Sequence, residues 1–117
     1  MSERLALQQS QAGMRLIAQM TIYNSGDFRR LRTYLRESYH EKALEAESLA
    51  ERIAVFRQMY AALGKVRIRQ LLATDPHHVV VLVEAEKADG LFMYDLEVEA
   101  EHPHKIIAYS HVSLGDG

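Results

Sequence analysis

The stretch Ser48-Leu49-Ala50-Glu51-Arg52-Ile53-Ala54-Val55-Phe56-Arg57-Gln58-Met59-Tyr60-Ala61-Ala62-Leu63-Gly64-Lys65-Val66-Arg67-Ile68-Arg69 changes its hydrophobic rhythm at Gly64. Before the glycine, Leu49, Ile53, Phe56, Tyr60 and Leu63 are spaced by four, three, four and three residues, which places them on one face of an α-helix. After it, Val66 and Ile68 alternate with Lys65, Arg67 and Arg69, the period of a strand covered on one side. Ser48 and Glu51 have the spacing of a capping box, and Gly64 can close the helix because it lacks the Cβ that penalises left-handed backbone. Helices on one side of Gly64 and strands on the other predict an α+β fold.

Working toward the N-terminus, Glu3 to Tyr23 reads as one long helix, with Met14, Ile17 and Thr21 on one stripe and Leu16, Met20 and Tyr23 on its neighbour. Asn24-Ser25-Gly26 ends it, and the Asp27 carboxylate caps a second helix that buries Phe28, Leu31 and Leu35. Between Tyr39 and Glu47 the periodicity is weak, and a helix extension, a separate turn or a loop all fit. Toward the C-terminus, Lys65 to Thr74, His78 to Glu86, Leu91 to Glu101 and Lys105 to Ser113 read as strands separated by turn-forming clusters. On the third, Phe92, Tyr94, Leu96, Val98 and Ala100 face one way and Asp95, Glu97, Glu99 and Glu101 the other, where Arg67 and Arg69 can pair with the acids. Three N-terminal helices packed on a curved, mainly antiparallel four-stranded sheet are therefore expected, with the Leu49 to Leu63 stripe facing the Phe92 to Ala100 set.

A chain of 117 residues suits one domain, 1–117. Hydrophobic residues at 48% and charged residues at 26% give the balance of a globular protein and exclude a low-complexity chain. No apolar run reaches membrane-spanning length, and Glu3 and three glutamines between Met1 and Gln11 do not read as a secretory signal, so a cytoplasmic protein without a membrane partner is expected. The absence of cysteine excludes disulfides and thiolate chemistry. A formal charge of −2 gives no general attraction to nucleic acid, and Glu37, Glu41 and Glu45 follow the Arg29, Arg30, Arg32 and Arg36 cluster, which reads as a solvated helix face. No nucleic-acid partner is expected.

With its elements in this order, the chain resembles the NTF2-like superfamily, also described as cystatin-like or SnoaL-like, from about Leu5 to Val112. Tyr23-Asn24-Ser25-Gly26-Asp27-Phe28 looks like the turn joining the first two helices of many members, and Gly64 followed by the Val66 and Ile68 strand looks like small domains of this group found ahead of hydrolase domains. The resemblance implies helices seated in the concavity of a curved sheet, a conical pocket and often a homodimer. The superfamily includes isomerases, dehydratases, cyclases, epoxide hydrolases and non-catalytic binders, so the fold alone selects no reaction.

Tyr23, Phe56, Tyr60, Tyr94, Tyr109 and His111 are the candidate pocket residues. Their hydroxyls and imidazole can polarise or move protons, and their rings equally serve as core packing. Asp27 is better explained as a cap than as a general base, and no acidic pair accompanies Tyr23 on an inner strand face, which argues against a steroid-isomerase mechanism. No catalytic residue can be assigned. His77, His78, His102 and His104 occupy two turns at one end of the expected sheet and could converge on a divalent metal, but surface turns commonly collect polar residues and nothing orients these rings, so no metal is expected. No Gly-rich phosphate loop or other cofactor motif occurs, and no cofactor is expected. Val80, Leu82, Leu91 and Met93 fall on the outer sheet face, where exposure costs about 25 cal/mol per Å2, and a homodimer through that face is expected. The first functional reading is a homodimeric domain that binds a small hydrophobic molecule in a conical pocket. The alternatives are a small isomerase, cyclase or dehydratase using tyrosine or histidine, and a non-catalytic dimerisation or accessory module.

Overall fold

Gly64 takes φ 71° and ψ −147°, outside the range comfortable for residues with a side chain, and its N–H donates to the Tyr60 carbonyl at 2.9 Å to close the last helical turn. A Cβ there would also lie 2.6 Å from a Glu86 carboxylate oxygen. The computed structural model describes residues 3–115. Ahead of Gly64 stand α1 (Glu3–Gln8), α2 (Gln11–Ser25), α3 (Phe28–Ser38), α4 (Glu41–Ala46) and α5 (Leu49–Leu63). Beyond it β1 (Val66–Asp75), β2 (His78–Ala85), β3 (Leu91–Val98) and β4 (Ile106–Ser113) form an antiparallel sheet in sequence order.

The helical half contains five helices where three were expected. The long first helix breaks at Ser10, whose hydroxyl accepts the Gly13 N–H at 3.1 Å and donates to the Asp75 carbonyl at 2.8 Å. This ties the start of α2 to the β1–β2 turn, where Ala12 N–H also reaches the Pro76 carbonyl at 3.2 Å. The break folds α1 back over Gly13, where a Cβ would lie 2.2 Å from the Leu7 carbonyl oxygen. The open region between Tyr39 and Glu47 holds α4, whose His40 Nδ1 accepts the Lys42 N–H at 3.1 Å. Tyr39 forms a parallel bridge with Ile106, and the His40 N–H donates to the Ile106 carbonyl at 2.8 Å, so this connection borders β4.

The register places Val66, Ile68, Val79, Val81, Val83, Tyr94, Leu96, Tyr109 and His111 on the helix-covered face. Irregularities between Ile68 and Gln70 and between Leu71 and Ala73 bend β1. β3 ends at Val98 rather than Glu101, leaving Ala100 in an exposed bend outside the inner set. Arg67 and Arg69 do not meet the acids of β3, because β2 lies between; both reach Glu84, Arg69 at 3.6 Å. Asp95 instead pairs with His78 Nε2 at 2.7 Å, and Glu99 accepts the Lys105 N–H at 2.8 Å.

The helix that covers the sheet is α2, which packs on β1, β2 and β3, while α5 packs on α3 and α2. The expected direct facing of the α5 stripe and the β3 inner set is therefore replaced by a layer in which Leu16, Gln19, Met20 and Tyr23 intervene. Met14 is 45% exposed and Thr21 is exposed, so the covered face of α2 is the Leu16, Met20 and Tyr23 stripe and not its neighbour. Leu31 and Leu35 of α3 and Ile53 and Phe56 of α5 complete the core.

Candidate functional site

Near the end of α2 Tyr23 is held by a tertiary contact: its hydroxyl donates to the Gly64 carbonyl at 2.9 Å, and burial pushes its pKa up to about 12. Its ring meets Phe56 at 6.0 Å and Tyr60 edge-on at 5.4 Å. The cluster continues through Phe56, stacked on Tyr109 at 6.1 Å, to Tyr94 and His111. Tyr94 and His111 are direct cross-strand partners, as are Leu96 and Tyr109. All six residues singled out from the sequence thus adjoin one another. Tyr60 sits at the far margin against Phe28 and Gly26, and Tyr109 and His111 sit at the opposite end on β4.

A buried hydrogen bond underlies this end. The Tyr39 hydroxyl donates to Oε1 of Gln19 at 2.7 Å, and Gln19 is 1% exposed. Nδ1 of His111 and the Tyr109 hydroxyl lie within hydrogen-bonding distance at 3.2 Å, with the donor set by the imidazole tautomer. Burial holds the Tyr109 hydroxyl well above the ordinary tyrosine pKa and lowers the His111 pKa, the Glu47 carboxylate opposing the latter.

Two spaces adjoin the cluster. Inside, Gln19, Met20, Tyr23, Phe56, Val66, Tyr94 and Tyr109 enclose about 10 Å3, roughly room for one water. Outside, a cleft of about 260 Å3 opens between α5 and β4, lined by Glu47, Arg52, Val55, Phe56, Tyr109, Ser110 and His111. The stacked Phe56 and Tyr109 rings border both spaces and form the partition between them. Arg52 is fully engaged within the fold: it donates to the Glu47 and Ala43 carbonyls at 2.9 and 2.7 Å, pairs with the Glu47 carboxylate at 3.3 Å and lies over the Tyr39 ring. It braces the cleft wall, and Glu47, Ser110 and His111 are the other polar side chains besides Tyr109 that line the cleft.

Gln19, Tyr39, Arg52 and Glu47 escaped the sequence reading. Gln19 stands at the helical spacing that joins Leu16 and Tyr23, and a polar residue on that stripe was the signal available. At the other end of the sheet the His77 and His104 rings stack at 5.7 Å and His102 meets His104 at 6.0 Å, while His78 turns to Asp95. Among the described residues, no three histidine or acidic side chains are arranged to hold a metal ion.

The fold and cleft together define a small α+β protein: an antiparallel four-stranded meander with helices on one face and an aromatic cluster opening at β4. No protein-family model, no curated protein and no solved structure matches the chain. No helix among the described residues is long and apolar enough to cross a membrane.

Proposed function

We propose that the chain is an NTF2-like homodimeric domain whose α5–β4 cleft binds a small hydrophobic molecule. The observation that carries this reading is the 260 Å3 cleft floored by Phe56, Tyr109 and His111 and divided from the inner void by two aromatic rings. Aromatic walls with a few polar groups suit an apolar ligand positioned by a small number of hydrogen bonds. The order of helices and strands supports the NTF2-like reading. Leu82, Met93 and Val112, consecutive across the outer face, support the dimer.

A second reading, the accessory dimerisation module, draws on the inner space of only about 10 Å3. Fluorescence titration with the neutral probe N-phenyl-1-naphthylamine separates the two. Saturable binding abolished by Val55→Trp, which fills the cleft wall, supports ligand binding. Binding that is absent, or unaffected by Val55→Trp, contradicts it.

A further inference from the structure

A second space lies on the other side of α2. Between α1–α2 and β1 runs a groove of about 370 Å3, within the size range of small-molecule sites, which begins at roughly 300 Å3. It shares no lining residue with the α5–β4 cleft. Its floor is apolar, formed by Leu7, Ile17, Met20 and Ile68, and Arg4, Arg67 and Arg69 stand along it. We propose that this groove binds a small carboxylate with an apolar body, of which a medium-chain fatty acid is the simplest case.

The charges fix the sign of the ligand. Arg67 and Arg69 both lean on one carboxylate, Glu84, and with Arg4 they set three cations against the two acids Glu84 and Glu3. The side chains of Arg67 and Arg69 are 81% and 59% exposed, so either guanidinium can turn to an incoming carboxylate without disturbing the core. The neutral polar residues of the wall are committed elsewhere. Asn24 is bound to both backbone groups of Val66, and the Thr21 hydroxyl donates to the Ile17 carbonyl at 2.8 Å. Recognition of a polar head is thereby left to the arginines, and recognition of the body to the aliphatic floor.

The test is an amide NMR titration of the full chain with sodium octanoate and, in parallel, with 1-octanol. Octanoate is expected to produce saturable shifts around Leu7, Ile17, Met20 and Ile68, with affinity at least about tenfold above that of octanol, because hydrogen bonds to charged groups exceed neutral ones. The double variant Arg67→Gln, Arg69→Gln, whose retained amide dispersion reports folding, is expected to weaken octanoate about tenfold and leave octanol unchanged. Equal affinity for the two probes, an unaltered octanoate affinity in the double variant, or no saturable shift overturns the proposal. Shifts confined to Phe56, Tyr109 and His111 overturn it too, while supporting the separate cleft.

Discussion

Asn24 illustrates how much one side chain can do at a junction. Its amide oxygen accepts the Val66 N–H at 2.9 Å and its nitrogen donates to the Val66 carbonyl at 2.8 Å, so it acts as one rung of sheet on the outer edge of β1, whose other side pairs with β2. The sequence marks Asn24 as a helix-ending residue, which it is, but a partner 42 residues away leaves no local trace. Asn24→Ala is expected to cost about 1–3 kcal/mol in urea unfolding, because the buried Val66 loses both partners. His111 gives a pH-dependent counterpart. Its pKa is lowered in the folded state, so its contribution is fully present above the ordinary value of 6.5 and is lost as pH falls through that value toward the lower folded one. Wild-type stability should therefore drop more steeply between about pH 7 and pH 5.5 than that of His111→Gln. Parallel profiles would show that His111 titrates as in the unfolded chain.

At the scale of elements, periodicity located α3, α5 and the four strands because each buries one face against a neighbour, leaving a regular pattern in the chain. It failed at Ser10, where the helix breaks without proline or a turn cluster. The cause is tertiary: the Ser10 hydroxyl and the Ala12 N–H are drawn to carbonyls of the β1–β2 turn. Gly13, inside the span expected as one helix, is required by the close passage of the Leu7 backbone. Gly13→Ala should destabilise the fold by about 1–3 kcal/mol, the range of an overpacked core, against the gain a helix-interior alanine normally brings. Denaturation of this variant checks the sign: stabilisation would mean that α1 does not press on α2. The cross-strand partners of Arg67 and Arg69 were misread for a related reason, since a strand's pattern reveals which residues share a face but not which strand lies beside it.

At the scale of the molecule, the candidate residues proved to be neighbours because all lie on faces turned to the same core, which is what their spacing encoded. Whether the space among them is open depends on side-chain volume and helix placement. Here α2 covers β1, β2 and β3, α5 reaches the sheet through Phe56 at β4, Tyr39 and Gln19 fill the centre, and the open volume moves to the β4 margin. The outer face carries Leu82, Met93 and Val112 in one row across three strands, flanked by Glu84, Asp95 and Glu97. Met93→Lys should convert the proposed dimer to a monomer in light scattering at micromolar concentration, with an unchanged circular dichroism spectrum; a wild-type monomer would contradict the interface. The most direct test of the central proposal is native mass spectrometry of freshly purified protein. The expected spectrum is a dimer carrying a small apolar molecule that is lost in Val55→Trp. Wild-type protein free of any ligand would contradict the proposal that the α5–β4 cleft is a binding site.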